Sequence, residues 1–211
     1  MGMVQMLWMP LLLTAVVSYF LGCFNGAVIV SKYILRNDVR NHGSGNAGLT
    51  NFHRTFGGKL TFVVIACDVL KAVLAILISN GVLSMMMGWP QFGKYWGGLF
   101  CLLGHMFPCM FGFKGGKGIL SGGTIAIMID WRIALVVWGG FVILVLLTRY
   151  VSLGSIWAGA SFPFATWFVF NDLILTVFGF LLGGLVVYMH RANIKRLLAG
   201  QENKFSLHKK K

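Results

Sequence analysis

The chain has 211 residues, of which 57% are hydrophobic and only 11% charged, and carries a formal net charge of +13 with a mean hydropathy of +0.80. Soluble domains carry roughly 25% charged residues, so this composition excludes an ordinary soluble globular protein and describes an integral membrane protein. The positive charge gathers on one side of the apolar segments, where it suits anionic headgroups or anionic substrates, and no nucleic-acid-binding module or nucleic-acid partner is expected.

In chain order, the first apolar stretch runs from Met3 to Ile34. It has no basic leader and no small-residue cleavage site, so it reads as a retained first helix rather than a signal peptide. Further apolar segments cover Leu60 to Leu83, Tyr95 to Phe111, a short Ile119 to Ile129, Ile133 to Leu147, Val151 to Phe170 and Leu173 to Met189. Most of them meet the roughly 17 to 25 residues that a bilayer-crossing helix needs.

The short fourth segment decides the topology. With a turn at Asp130, Trp131 and Arg132 and the N-terminus outside, seven spans place Lys32, Arg36, Arg40, Arg54, Lys59, Lys114, Lys117, Arg149 and the C-terminal basic residues on the cytoplasmic side, leaving Lys94 and Arg132 outside. Fusing Ile119 to Leu147 into one helix would bury Asp130 and Arg132 in mid-membrane and turn the basic tail outward. The expectation is therefore an all-α polytopic membrane protein of seven transmembrane helices, with a cytoplasmic C-terminus. A single domain fills residues 1–211, and its basic tail, about 191–211, ends in Lys209, Lys210 and Lys211 as disordered or partly added sequence.

Three polar clusters share the cytoplasmic side in this topology. The first runs from Ser31 through Lys32, Arg36, Asp38 and Arg40 to the glycine-rich stretch Gly43, Ser44, Gly45, Asn46, Ala47, Gly48, Leu49, Thr50, Asn51, with Arg54 close behind. Its glycines let backbone amides turn toward an anion, its Ser, Asn and Thr side chains add donors, and Arg54 adds fixed charge. The second is Lys114, Gly115, Gly116, Lys117, Gly118; the third is His190 and Arg191 with Asn193, Lys195, Arg196 and Glu202. Taken singly, the second also reads as a flexible basic loop, and the third as a helix-end anchor whose cations meet the helix dipole and headgroups.

Several familiar signatures fail on context. Gly43, Gly45 and Gly48 fit the dinucleotide G-x-G-x-x-G spacing, but no strand precedes them. Gly118 follows Lys117 where a nucleotide-binding P-loop needs Ser or Thr, and no histidine is followed five residues later by aspartate, as acyl-CoA-dependent acyltransferases would require. Cys23, Cys67, Cys101 and Cys109 lie in apolar segments without metal-ligand spacing and read as small buried hydrophobes, so neither metal nor cofactor is expected.

The ordered set GSGNAGLTNFHRTFG at 43–57, LGHMFPCMFGFKGGKG at 103–118, TRYVSLGSI at 148–156 and HRANIKRLLAGQENK at 190–204, preceded by Ser31-Lys32 and Asp38-Val39-Arg40, covers nearly the whole chain. It resembles the membrane acyl-phosphate:glycerol-3-phosphate acyltransferases that start bacterial phospholipid synthesis. The resemblance implies a multi-pass protein of the bacterial inner membrane, its active site facing the cytoplasm. It transfers a fatty acyl group from acyl phosphate to the 1-hydroxyl of glycerol 3-phosphate, giving lysophosphatidic acid and phosphate. The implied partners are those two substrates, membrane lipids and an upstream acyl-phosphate-forming enzyme.

Carried over by position, the resemblance makes Ser44, Lys117, His190 and Asn193 catalytic, and assigns substrate binding to Gly43, Gly45, Asn46, Thr50, Asn51, Arg54, Gly115, Gly116 and Gly118. Ser44, Asn46 and Thr50 hold phosphate oxygens, Arg54 pairs with a phosphate, and Lys117 neutralises the acyl phosphate or departing phosphate. His190 and Asn193, three apart on one helical face, orient glycerol 3-phosphate, and the hydroxyl proton goes either to His190 or to a substrate phosphate. An acyl phosphate is already activated, so positioning and charge stabilisation supply the acceleration without an acylated serine.

The chain departs from the family pattern at Ala47 and Leu49, where proline and alanine are expected, and at Ile119-Leu120-Ser121. These changes bear on loop stiffness and on acyl-chain preference if Leu49 and Leu120 face the lipid groove. Asp68 and Lys71, three apart in the second span, read as a mutually satisfied pair or as a link to the site, with His105, two residues before Phe107-Pro108, as a packing or hydrogen-bonding histidine beside a helix break. The alternative function is a transporter or flippase for an organic phosphate or phospholipid. It calls for polar breaks near mid-membrane and a two-fold repeat, whereas the clusters lie on one face and no repeat is evident.

Overall fold

The computed structural model describes residues 3–205. Among them are ten α-helices and no strand: α1 Met3–Cys23, α2 Gly26–Ile29, α3 Leu49–Thr55, α4 Leu60–Met87, α5 Pro90–Met106, α6 Ile119–Ile129, α7 Trp131–Thr148, α8 Val151–Phe170, α9 Leu173–Met189 and α10 Arg191–Leu198. The chain forms two compact units that divide after Ile129.

In the first unit, α4 and α5 form an antiparallel pair on which α1 and α6 pack. The helix ends follow local chemistry. Gly88 takes a left-handed conformation and its N–H meets Ser84 O, which ends α4, and Pro90 then opens α5. Pro108 forces the residue before it out of the helical region, so α5 stops at Met106 rather than continuing to Phe111. The first stretch also breaks, bending 41° between Trp8–Cys23 and Gly26–Ile34. Asn25 caps the second piece, its side-chain oxygen accepting from Val28 N at 3.1 Å.

Close approach explains the helix pairing. A Cβ at Gly104 would meet Tyr19 O, and one at Gly22 would meet Cys101 O, so α1 and α5 touch backbone to backbone. In the second unit α7, α8 and α9 form consecutive hairpins with α10 packed on α8 and α9. Gly159 and Gly183 let α8 and α9 meet in the same way. Asp130 caps α7 through Arg132 N at 2.8 Å, and Asp172 caps α9 through Leu175 N at 3.0 Å. The Asp130 break expected from charge placement is thus a helix cap.

Leu60–Met87, Trp131–Thr148 and Val151–Phe170 are each long and apolar enough to cross a bilayer alone, and the two bent pairs Trp8–Cys23 with Gly26–Ile34 and Leu173–Met189 with Arg191–Leu198 qualify when taken together. The outward faces are strongly apolar: Leu147 on α7 is 78% exposed and Phe168 on α8 is 85% exposed, which fits lipid rather than water as the surrounding medium. The 11 residues of α6 extend only about 16 Å. The C-terminal segment is not featureless, since α10 is helical and Phe205 N returns to Arg149 O at 2.7 Å. Lys209, Lys210 and Lys211 lie outside the described residues.

Substituting Gly104→Leu drives a side chain into the α1–α5 contact, a change of the overpacking kind that costs about 1–3 kcal/mol. The expected outcome is a lower melting temperature in detergent, whereas Gly184→Leu, at a position with no neighbour within 4 Å, leaves melting near that of the parent protein.

Candidate functional site

The glycine-rich stretch is an ordered loop built around one side chain. Asn51, at the start of α3 and buried, donates through Nδ2 to Val39 O at 3.1 Å, His42 O at 3.0 Å and Asn46 O at 3.0 Å, and its Oδ1 accepts from Ser44 N at 3.1 Å. An amide NH2 has two hydrogens, so three carbonyls share two donors. Asn51, expected on the substrate, is therefore occupied in shaping the loop. Gly43 and Gly45 have φ of 57° and 69°, and a Cβ at Gly43 would strike Asn51 Oδ1. Both positions need glycine for the chain to turn around the asparagine.

Packing below the loop supports this arrangement. Phe52 is fully buried with Ala27, Val30, Val39 and Val64, and Leu35, Leu49, Phe56 and Leu60 pack against the cluster. Leu49 thus faces the protein interior, and its departure from the family pattern fills a core position. Asn25 Nδ2 donates to Ala47 O at 3.0 Å, and Ser31 Oγ accepts from Val39 N at 3.0 Å, tying the loop to the break after α1. Ser44, Thr50 and Arg54 remain exposed, with Thr50 and Arg54 four residues apart on one face of α3.

The structure brings the second cluster against the first. Arg40 Nη1 donates to Phe111 O at 2.7 Å and to Lys114 O at 3.4 Å, while its Nε and Nη2 hold the Asp38 carboxylate, the latter at 2.7 Å. The Arg40 hydrogen bonds keep the Asp38 carboxyl below its ordinary range. Gly115 N and Gly116 N donate back to Met106 O and His105 O, each at 3.1 Å. Gly116 is buried so tightly that a Cβ would lie 2.9 Å from Ala47 O, so the two loops touch where both are glycine- or alanine-lined. Gly118, with φ of 77°, turns the chain into α6.

In the second unit, His190 stands at a 58° bend between α9 and α10. Its Nδ1 is 2.8 Å from Val186 O; a carbonyl only accepts, so Nδ1 carries a proton, and in the neutral ring Nε2 is then the acceptor. Asn193 Nδ2 donates to Glu202 Oε1 at 2.8 Å and Arg196 Nε to Glu202 Oε2 at 2.6 Å. Partial burial pulls the Glu202 carboxyl up, but the hydrogen bonds from Arg196 and Asn193 outweigh it and hold the group below its ordinary range.

Sequence reasoning missed the structural parts played by Asn25, Ser31, Arg40 and Glu202. For Asn25 the signal was present, since a lone asparagine inside a long apolar stretch demands an internal partner. For Arg40 only the neighbouring Asp38 was visible, because the loop contacts it makes are to backbone carbonyls more than 70 residues away in sequence. Among the described residues no group of His, Cys, Asp and Glu is arranged to hold a metal.

A family model described as glycerol-3-phosphate acyltransferase matches residues 12–200. The glycerol-3-phosphate acyltransferase of Thermoanaerobacter pseudethanolicus is 40% identical, across 91% of this chain and 94% of the relative; that of Fusobacterium nucleatum is 34% identical, across 90% and 95%. The chain is also similar to the crystal structure of PlsY, an integral membrane glycerol 3-phosphate acyltransferase. In its glycerol 3-phosphate form the TM-score is 0.83 at 33% identity, over 93% of this chain and 96% of that one. In its lysophosphatidic acid form the TM-score is 0.80 at 32% identity, over 93% and 95%.

Replacing Asn51 with Ala removes the shared centre of the glycine loop: Ser44 N and Asn46 O lose the amide partner, at about 1–3 kcal/mol for each group left unpaired, while Val39 O and His42 O keep their bonds from His42 N and Gly45 N. Hydrogen exchange at the backbone amides of residues 39–51 is expected to accelerate at least tenfold, while α8 and α9 keep their protection.

Proposed function

The chain belongs to the glycerol-3-phosphate acyltransferase family and is an integral membrane enzyme of that activity; from that premise we propose that its acyl donor is a fatty acyl phosphate and that its two glycine-lined loops handle the phosphates. The observation that carries the proposal is the contact of the Gly43–Asn51 loop with the Gly115–Gly118 loop, braced by Arg40, with Ser44, Thr50 and Arg54 exposed beside it. Two anionic substrates need two such basic, donor-rich segments next to an apolar interior that accepts an acyl chain.

In the proposed reaction the 1-hydroxyl of glycerol 3-phosphate attacks the acyl carbonyl carbon. A new ester C–O bond forms, the bond from that carbon to the phosphate oxygen breaks, and lysophosphatidic acid and inorganic phosphate leave. Ser44, Asn46 and Thr50 hold phosphate oxygens through side-chain donors, while the N–H groups of Gly45, Gly115 and Gly116 are taken by His42 O, Met106 O and His105 O, so these glycines, with Gly43 and Gly118, serve by letting substrate approach the backbone closely. Arg54 pairs with a substrate phosphate, and Lys117 stabilises charge on the departing phosphate. Asn51 acts by fixing the loop. His190 and Asn193 orient glycerol 3-phosphate, and the hydroxyl proton passes to Nε2 of the neutral His190, whose Nδ1–H is held by Val186 O, or to an oxygen of a substrate phosphate. Holding hydroxyl and anhydride in reacting geometry is worth roughly 7–11 kcal/mol, so no covalent enzyme intermediate is required.

The proposed setting is the bacterial cytoplasmic membrane, with seven spans, an outside N-terminus and a cytoplasmic C-terminus. The whole chain is proposed to act as one enzyme domain, supplied by an acyl-phosphate-forming enzyme. The one-sided distribution of basic residues supports this orientation. Purified protein given palmitoyl phosphate and labelled glycerol 3-phosphate is expected to form labelled lysophosphatidic acid, with none from palmitoyl-CoA. Lys117→Ala is expected to lower kcat at least 100-fold, in the range seen when one charge-stabilising group is removed. Product from the CoA donor alone would contradict the assigned donor, and transport of glycerol 3-phosphate without product would favour a carrier.

A further inference from the structure

Asp68, Lys71 and His105 form a buried polar cluster in the first unit that the proposed reaction does not use. Lys71 Nζ is 2.7 Å from Asp68 Oδ1, 2.7 Å from His105 Nδ1 and 3.1 Å from Phe24 O, the carbonyl exposed by the break after α1. An ammonium has three N–H donors and no acceptor, so these three acceptors fill it. Asp68 is further fixed by its own backbone, whose carbonyl accepts from Ser121 Oγ at 3.2 Å on α6. Three helices, α4, α5 and α6, and the break after α1 therefore meet at this point.

The arrangement determines the histidine. Because Lys71 can only donate, His105 Nδ1 must accept, and the single ring proton lies on Nε2. That nitrogen is directed at the second glycine loop: a Cβ at Gly116 would fall on His105 Nε2, and Gly116 N donates to His105 O at 3.1 Å. Lys117 is the next residue. Resting on the acyl-phosphate reading above, we propose that His105 is a positioning residue, oriented by the Lys71–Asp68 pair, which seats Gly116 and thereby sets where Lys117 meets the phosphate of the acyl donor. The same ring closes the junction between the loops, since Ala47 O lies beside the position where that Cβ would stand. It also explains why the second span carries two charges in an apolar setting: they serve the histidine rather than substrate.

Two variants separate the ends of the ring. In His105→Asn the amide oxygen replaces Nδ1, keeping the third acceptor of Lys71 but losing contact with Gly116. In His105→Gln the amide nitrogen replaces Nε2, keeping that contact but leaving Lys71 short of an acceptor. With full-length protein in detergent, His105→Asn is expected to melt near the parent temperature while kcat/KM with palmitoyl phosphate falls about 10- to 100-fold, the scale of a small misplacement of a reacting group. His105→Gln is expected to melt lower yet retain most of the activity per folded molecule. Adding Lys117→Ala to His105→Asn should lower the rate no further than Lys117→Ala alone, because both act through one group. Parent kinetics in His105→Asn, activity that merely tracks the amount of folded protein in both variants, or independent losses in the double variant would each overturn the proposal. A folded parent protein inactive with every donor would instead overturn the acyl-phosphate reading itself.

Discussion

A polar loop at the edge of a hydrocarbon layer has to satisfy its own backbone groups, because the neighbouring lipid offers them no partner. Asn51 meets that constraint for the glycine-rich loop, drawing three carbonyls and one amide around a single buried side chain. The Gly115–Gly118 loop meets it by pairing back onto residues 105 and 106. With their backbones fixed in this way, Ser44, Thr50 and Arg54 remain exposed. A loop left to find its order on binding would consume binding energy in ordering itself.

Glycine has different functions along this chain. At Gly43 and Gly45 it supplies the left-handed turns around Asn51. At Gly116 it supplies absence of volume, letting the second loop sit on His105 and Ala47. At Gly22, Gly104, Gly159 and Gly183 it lets helices approach closely where lipid gives no hydrophobic drive for association. The α1–α5 contact fixes the C-terminal end of α5, from which the chain leads into the Gly115–Gly118 loop. Fold and site are connected through the same residue type used in these distinct ways.

Much of this architecture could be read from hydropathy and charge. The limits of α6, α8 and α9 follow directly from apolar runs bounded by Gly118, Asp130, Tyr150, Asn171 and Asp172. The early start of α5 was hidden because Gly93 and Lys94 lower its local hydropathy, although Pro90 marked the boundary. The break at Asn25 was hidden for the opposite reason, since one polar residue scarcely changes a 30-residue average. In the site, the residue types pointed to phosphate handling, but sequence distance gave no access to the division of labour. Asn51 has the same donor groups as Asn46, and only the fold shows that its amide faces inward. Arg40 and His105 were likewise legible as polar residues and not as the groups that link one loop to the other.

The central claim is direct acyl transfer between two phosphorylated substrates held at these loops. It is tested most directly by measuring inorganic phosphate and lysophosphatidic acid together, in proteoliposomes given palmitoyl phosphate with and without glycerol 3-phosphate. The account predicts one phosphate released per lysophosphatidic acid formed, and no release above background when glycerol 3-phosphate is omitted. Phosphate release independent of glycerol 3-phosphate, or movement of glycerol 3-phosphate across the bilayer with no acylated product, would contradict it.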